Sequence, residues 1–332
     1  SKTITRIAFG SCHDQRMPKL TLPFLGGTKD IWDTIRESKP DVMVLLGDNI
    51  YAKTEDMEVM RAEYAKLAAD EGFARLRRSV PILATWEDND YGRSDVGAEY
   101  PKKSQSQAIF LDFFGVSKKS PRWGREGVYD AVVVGPPGRQ VQIILLDTRY
   151  FRGPLVKRGA DEPPPPPDRA GPYVPTRDTS TTMLGEAQWK WLGEQLRVPA
   201  EVRIIASSIQ VISEEHGYEK WANFPHERER LFRLIRETEA KGVVFVSGDR
   251  HHAEISRLDG AVEYPLYDVT SSSLNKPRMF TVEANRHRVG DMYFQSNFGL
   301  LTIDWDSDDP VIVMAIHGAN GRLIFDQRVP LR

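Results

Sequence analysis

The sequence predicts an α/β protein of one domain, in which two mixed β-sheets pack face to face with helices outside them. In the first two thirds of the chain, short β-branched apolar segments alternate with amphipathic segments. This pattern is typical of buried strands joined by helices. The last third alternates apolar and polar residues and turns on Asp-Gly and Asn-Gly, which indicates antiparallel hairpins. A chain of 332 residues is long enough to bury one large core.

Each predicted element has its own signal. Six apolar runs predict strands at 3–9, 41–47, 80–86, 141–147, 202–208 and 242–248. Amphipathic segments predict helices at 30–39, 182–197 and 225–241. Asp30 is suited to cap the first of these helices, and Pro225 to begin the last. The hairpins are expected within 254–270, 298–306 and 311–329.

One irregular segment, 152–181, contains the sequence EPPPPPDRAGPYVP. It is too long and too rich in proline for an ordinary connection, so we expect a stiff surface loop that could cover a site.

Composition excludes several classes of protein. The 45 basic and 47 acidic residues leave a formal charge of −2, which argues against a stable nucleic-acid partner. No apolar run approaches the roughly 20 residues that a membrane-spanning helix needs. The first residues already have the pattern of a strand, so no signal peptide is expected. Cys12 is the single cysteine, which excludes an intramolecular disulfide.

Polar side chains follow each of the six predicted strands. They lie at 10–14, 47–51, 86–92, 147–149, 207–210 and 248–252. Because ligands collect at the carboxyl ends of strands in α/β sheets, we expect these residues to form one rim. The rim would hold a thiol, carboxylates, a phenol, amides and imidazoles, which is a set suited to metal ions.

The ligand types favour two ions. The Asp48 carboxylate could bridge them. Cys12, Tyr51 and His251 suit a transition metal such as iron, whereas Asp88 and Asp249 suit a hard cation such as calcium, manganese or magnesium. His251 is favoured over His252, since residues two apart in an extended chain, such as 249 and 251, share a side.

An ordered set of motifs over residues 5–305 resembles the alkaline phosphatase D (PhoD-like) branch of the calcineurin-like metallophosphatases. The motifs are FGSC, GDNIY, TWEDNDYG, LDTRYFR, MLGEAQWKWLGEQL, WANFPHERERL and SGDRHHAE. The resemblance implies a metallophosphatase sandwich over residues 1–332. It also implies hydrolysis of phosphoesters at an iron–calcium centre, with Fe³⁺ beside Ca²⁺, or with manganese, magnesium or zinc as the second ion.

Transferred residue by residue, the resemblance makes four residues the iron-side ligands and two the ligands of the second ion. The iron-side set is Cys12, Asp48, Tyr51 and His251, with Asp48 as the bridge, and the other pair is Asp88 and Asp249. Gln210 is the candidate to complete the second site, ahead of Ser207 and Ser208.

The chain departs from the family at one position. Many relatives have Trp-Asp-Asp-His-Asp where this sequence has Trp-Glu-Asp-Asn-Asp, so Asn89 replaces the imidazole expected to protonate the leaving group. An amide can hydrogen-bond a phosphoryl oxygen but cannot act as an acid. His13 and His252 are the nearest substitutes in sequence. Among the arginines, Arg16, Arg149 and Arg250 could clamp a phosphate.

These residues predict a phosphoric ester hydrolase, either a monoesterase or a diesterase, in which a metal-bridged hydroxide attacks phosphorus in line. The alternatives are a catalytically degenerate metal-dependent binding module, which Asn89 would explain, and a metal-dependent oxidase. We expect a small phosphoester as substrate. Resemblance alone favours a secreted or periplasmic protein over a cytoplasmic one, and the sequence leaves the oligomeric state open.

Overall fold

The computed structural model describes residues 2–17, 30–161, 163–279, 282–307 and 310–330. The strands of its two large sheets are β1 (Arg6–Gly10), β2 (Val42–Leu46), β3 (Ile82–Thr85), β4 (Asp130–Val134), β5 (Val141–Leu145), β8 (Val202–Ala206), β9 (Val243–Ser247), β10 (Ala253–Leu258), β11 (Leu266–Ser271), β12 (Arg288–Tyr293), β13 (Asn297–Asp304), β14 (Val311–Gly318) and β15 (Leu323–Pro330). Two further short strands, β6 (Val156–Lys157) and β7 (Tyr173–Val174), pair with each other.

The helices lie outside the sheets. They are α1 (Ile31–Glu37), α2 (Met57–Ala69), α3 (Glu71–Ser79), α4 (Asp88–Tyr91), α5 (Lys103–Phe113), α6 (Gly185–Leu196) and α7 (Pro225–Glu237). The Asp30 side chain accepts a hydrogen bond from the Trp32 amide at the start of α1, and Pro225 is the first residue of α7. Both predicted helix starts are therefore confirmed.

Each sheet combines parallel and antiparallel strands, and the parallel strands lie at one edge of the first sheet and in the interior of the second. The first sheet has the order β15-β14-β13-β1-β2-β3, and β1, β2 and β3 are parallel. The second has the order β12-β10-β11-β9-β8-β5-β4, in which β5, β8, β9 and β11 are parallel. The carboxyl ends of six parallel strands, three in each sheet, carry the polar residues that the sequence singled out.

The main core lies between the two sheets, and each sheet packs helices on its outer face. In β2, Val44 and Leu46 face the second sheet, whereas Met43 and Leu45 face the helices. This alternation follows from the two-residue period of a strand. On the outer face of the second sheet, Phe245 packs in a cluster with α6 and α7. The predicted two-sheet sandwich with outer helices is confirmed.

Several elements were not predicted. The helices α2, α3 and α5 and the strand β4 fall where the sequence was left without an assignment. Only four residues of α2 are buried and one of them is charged, so its buried apolar face is narrow. β4 lies at the edge of its sheet and none of its residues is fully buried. Weak burial explains the weak pattern in both cases.

The proline-rich segment is attached to the body of the protein. The Tyr173 amide donates to the Gly217 carbonyl oxygen at 2.8 Å, and the Gly217 amide donates to the Ala170 carbonyl oxygen at 2.9 Å. A Cβ atom on Gly171 would lie 2.1 Å from the backbone of Gly217, so only glycine allows this approach. The predicted loop therefore holds two short strands and is docked on residues 214–223. Within the described ranges, no helix has the length and apolarity that crossing a bilayer requires.

Candidate metal centre

The residues that follow β1, β2 and β9 adopt an unusual backbone. Cys12, Asp48, Asp249 and His251 have φ values of 60°, 50°, 68° and 59°, in the left-handed region that non-glycine residues rarely adopt. Such conformations cost free energy and cluster at functional sites. Four of the predicted metal ligands thus share a backbone state that the fold must stabilise.

Two glycines place these loops close together. Gly47 precedes Asp48 with φ at 97°, and an added Cβ would lie 2.6 Å from the Glu87 nitrogen. Gly248 precedes Asp249, and its Cβ would lie 2.4 Å from the Ser11 Oγ. Ser11 belongs to the first sheet and Gly248 to the second. Gly47 therefore allows the loops after β2 and β3 to approach each other, and Gly248 allows the two sheets to meet at the rim.

The meeting point is a buried cluster of ligand atoms. The Cys12 thiol, the Asp48 carboxylate and the His251 imidazole each offer one atom within 4.8 Å of the others. The Cys12 Sγ lies 3.7 Å from Asp48 Oδ2, and the Tyr51 hydroxyl lies 3.2 Å from His251 Nε2. Four side chains that the resemblance assigns to the iron side are thus brought together.

Asp88 and Asp249 add negative charge to this cluster. One oxygen of Asp88, Oδ2, accepts from the Asp95 amide at 2.9 Å. The other, Oδ1, is buried without a hydrogen-bond partner among the described residues. Asp249 Oδ2 lies 3.2 Å from the Arg250 guanidinium. An orphaned buried carboxylate oxygen is costly unless a cation or a proton reaches it.

The electrostatics point to a cation. Burial and the charge of Asp249 raise the pKa of Asp48, and burial with both neighbouring acids raises the pKa of Asp88. Burial also raises the pKa of Cys12. Burial lowers the pKa of His251 to about 4, so its imidazole is neutral and can donate a lone pair. Burial and mutual repulsion thus disfavour the charged forms of these acids, whereas a bound metal would favour them.

The donor set fits two metal ions of different character. The thiol of Cys12, the phenol of Tyr51 and the imidazole of His251 are donors of the kind that suits a transition metal. The carboxylates of Asp88 and Asp249 suit a hard cation. The residues present therefore fit the dinuclear centre that the resemblance implies.

The side chain of Asn89 is directed at the carboxylate of Asp48. Its Nδ2 donates to both oxygens of Asp48, each at 2.8 Å, and its Oδ1 is buried without a partner among the described residues. The amide that replaces the family imidazole therefore orients Asp48. No proton donor results from this substitution.

The side chains of Arg149 and Gln210 make their polar contacts with residues other than the predicted metal ligands. Arg149 is fully buried and forms ion pairs with Glu87 and Glu219, so it is not available to clamp a phosphate as the sequence had suggested. The Gln210 amide nitrogen donates to Glu254 and Thr270, and its oxygen lies 2.9 Å from His216 Nε2. Its amide group is thus engaged by these three residues.

The two histidines proposed to replace the missing acid are buried. His13 is 5% exposed, and its ring centroid lies 4.6 Å from that of Trp32. His252 is 2% exposed, and its Nδ1 donates to the Arg250 carbonyl oxygen at 3.0 Å. Its Nε2 lies 3.6 Å from Glu254. The structure therefore places His252 on the Glu254 side, away from its neighbour His251.

The sequence interpretation missed the segment after β11. The Ser272 Oγ accepts from the His251 amide at 2.8 Å and lies 3.2 Å from the Cys12 Sγ. The Asn275 side chain bonds both the amide and the carbonyl of Asp14. The polar run SSSLNKPR directly after an alternating strand was the available signal.

A two-sheet sandwich with this cluster of candidate ligands at its rim, in a chain that matches a phosphatase family, defines a protein of the metallophosphatase class. Its fold is similar to that of purple acid phosphatase PPD1 from seeds of yellow lupin (Lupinus luteus), with a TM-score of 0.62 at 11% identity, over 99% of this chain and 54% of the other. A solved structure of PhoD matches with a TM-score of 0.71 at 15% identity, over 99% of this chain and 69% of the other.

The chain belongs to the PhoD-like phosphatase family, whose profile matches residues 7–306. Alkaline phosphatase D of Bacillus subtilis (strain 168) is 21% identical in an alignment of 285 positions, which covers 73% of this chain. The match covers 47% of that relative, so this chain spans about half of its length. The family recognised from the motifs is thereby confirmed.

Proposed function

We propose that this protein is a metal-dependent phosphoester hydrolase. The observation that carries the proposal is the convergence of Cys12, Asp48 and His251 within 4.8 Å, together with a buried Asp88 oxygen that has no hydrogen-bond partner in the described part of the chain. Membership of a phosphatase family supports the same conclusion. In this proposal the centre is iron with calcium, and manganese, magnesium or zinc are alternatives for the second ion.

The roles of the side chains follow from their contacts. Cys12, Tyr51 and His251 would hold the first ion, Asp88 and Asp249 the second, and Asp48 both. Asn89 fixes the orientation of the Asp48 carboxylate through its two hydrogen bonds. When bound, two such ions supply an acidified water and neutralise the phosphoryl oxygens.

The leaving group determines what this site hydrolyses efficiently. Asn89 stands where an imidazole could donate a proton to a departing oxygen, and its amide, which donates to Asp48, cannot act as that acid. We therefore expect good leaving groups such as nitrophenolate to react well and alkoxides to react poorly.

The test is the Asp48→Asn variant, compared with the wild type in p-nitrophenyl phosphate and bis-p-nitrophenyl phosphate assays. Both proteins are first loaded with iron and calcium and analysed for metal content. Because metal-ion catalysis supplies several kcal/mol of transition-state stabilisation, we expect the variant to lose at least about a hundredfold in rate. A circular dichroism spectrum checks that it is folded. A variant close to the wild-type rate would contradict the proposal.

Asn89 favours one alternative, a metal-dependent binding module on a degenerate phosphatase fold. Its signature would be a wild-type protein that binds both ions stoichiometrically and releases no nitrophenol from either substrate.

The substrate class and location belong to the same proposal. We expect a small phosphoester as partner, not a nucleic acid. The resemblance favours a secreted or periplasmic protein, as expected from the sequence, and fractionation of its natural host would test this.

A further inference from the structure

Arg278 is held beside the candidate metal centre. Its amide donates to the carbonyl oxygen of His251 at 3.0 Å, and Pro277 precedes it and restricts the backbone. Further back in the same segment, the Leu274 amide donates to the Ser11 carbonyl oxygen at 3.0 Å. The segment that carries Arg278 is therefore tied to the loops after β1 and β9.

The Arg278 side chain is exposed and positioned by an aromatic ring. Its guanidinium carbon lies 5.1 Å from the centroid of Tyr218. The same ring lies 4.2 Å from the guanidinium carbon of Arg250, which is buried and paired with Glu283. Stacking on a tyrosine restricts a guanidinium and leaves its N–H groups free to bind an anion.

Arg278 differs from the other cations around the centre, because no carboxylate of the described residues forms an ion pair with it. Arg250 is occupied by Glu283 and Asp249. Arg16 and Lys276 both bind Asp14, and Lys276 also lies 3.5 Å from the centroid of Tyr51. Of these four cations, Arg278 is the one whose charge remains uncompensated.

We propose that Arg278 binds the free phosphoryl oxygens of the substrate, and that the substrate class is the dianionic phosphomonoester. This inference rests on the proposed function and goes beyond it, since it selects one substrate class and one residue.

The chemistry of the two ester classes explains the selection. A phosphomonoester carries three free oxygens and a charge near −2, whereas a diester carries two and a charge of −1. A guanidinium presents a planar fork of donors that matches two phosphoryl oxygens. An unpaired cation at the rim therefore favours the more highly charged substrate, and its contribution falls as salt increases.

The experiment compares Arg278→Gln with the wild type in two measurements on the metal-loaded protein. The first is steady-state kinetics with p-nitrophenyl phosphate and its bis ester. A hydrogen-bonded charge pair is lost, so we expect the KM for the monoester to rise about tenfold or more. The KM for the diester should rise less, and kcat should change little. The second is calorimetric binding of inorganic phosphate, which we expect to weaken by a similar factor.

Matched variants separate this role from a structural one. Arg61→Gln removes an exposed arginine from α2, where it pairs with Glu58, and should leave both measurements unchanged. Tyr218→Phe keeps the ring, so its KM for the monoester and its phosphate affinity should equal those of the wild type. Tyr218→Leu removes the ring, so both quantities should change as they do in Arg278→Gln.

The outcomes separate the two proposals. The inference is overturned if Arg278→Gln binds inorganic phosphate as tightly as the wild type, or if the KM rises equally for the two esters. Hydrolysis by the wild type would still support the proposed function in either case. If the wild type hydrolyses neither ester but its phosphate binding depends on Arg278, the anion site stands and the proposed hydrolase fails.

Discussion

Lys220 is a lysine that the fold has almost removed from water. It is 2% exposed, and its Nζ donates to the carbonyl oxygens of His216 and Tyr218. Burial, reinforced by the charge of Arg250, lowers its pKa to about 7 from the usual 10.5, although Glu283 and Glu214 act in the opposite direction. The folded protein therefore releases this proton more readily than the unfolded chain does.

This shift predicts a dependence of stability on pH. Between pH 7 and 10.5 the unfolded chain keeps the Lys220 proton and the folded protein loses it, so the cost of burying the charge falls as pH rises. From pH 7 to 9 this should add about 2 kcal/mol to the free energy of unfolding. The added stability should be absent from Lys220→Met, as measured by urea denaturation at both pH values.

Lys190→Met is the control, because Lys190 is exposed on α6. The free energy of unfolding of Lys190→Met should differ from that of the wild type by the same amount at both pH values. If the free energy of unfolding of Lys220→Met also differs from that of the wild type by the same amount at both pH values, Lys220 is charged in the folded protein throughout this range.

At the residue scale, sequence reasoning found the candidate ligands but not the residues that hold them. Asp48 and His251 stood out because a polar residue after a buried strand is conspicuous. Ser272 contacts Cys12 across 260 positions, and a serine has no signature for such a contact. Arg149 looked like a phosphate ligand because its two acidic partners, Glu87 and Glu219, are distant in sequence.

At the scale of the elements, glycine determines where strand ends can meet. Gly248 is the one residue between β9 and Asp249, and it lies against Ser11, which follows β1 of the opposite sheet. We expect Gly248→Ala to displace Asp249, because the new Cβ would lie 2.4 Å from the Ser11 Oγ. Crowding of this kind costs about 1–3 kcal/mol of stability. Affinity for the second metal should fall about tenfold, as measured by chelator competition.

Gly124→Ala provides the comparison. Its Cβ would lie 3.9 Å from the Pro121 carbonyl oxygen, which is an ordinary contact. Metal affinity and stability should stay at the wild-type level in this variant. If Gly248→Ala behaves in the same way, the loop after β9 adapts more freely than its packing indicates.

Prediction of the elements succeeded where burial was complete. All residues of β2, β5, β8 and β9 are buried, and their apolar runs were recognised. Elements with narrow buried faces gave no comparable signal. The docking of the proline-rich segment was also unpredictable, since it depends on backbone contacts with Gly217 that leave no pattern in the sequence.

At the scale of the whole molecule, the proline-rich segment links distant parts of the surface. The Arg169 guanidinium lies 2.7 Å from Glu215 Oε1, and the Tyr173 hydroxyl bonds Asp95 near the metal centre. We expect replacement of the prolines at 163–167 by alternating Gly and Ser to weaken this docking by about 2 kcal/mol, because the free segment gains conformational entropy. Limited proteolysis within 152–181 should then be about thirtyfold faster.

Replacement of Pro136 and Pro137 by serine is the control, because these prolines lie outside the docked segment, between β4 and β5. It should leave cleavage within 152–181 unchanged. Equal cleavage of the 163–167 variant and the wild type would mean that the hydrogen bonds with residues 214–223 hold the segment without help from the prolines.

The pairing of β1 with β13 has a consequence for biosynthesis. Arg6 faces Thr302 in that pair, and the thiol of Cys12 meets Ser272, so both partners leave the ribosome long after β1. At typical rates of translation the delay is on the order of half a minute. Throughout that interval the nascent chain carries an unshielded thiol, and the proposed iron-side ligands acquire their final neighbours only when these later strands have been made. In the proposed function, loading with metal therefore comes after the synthesis of these strands.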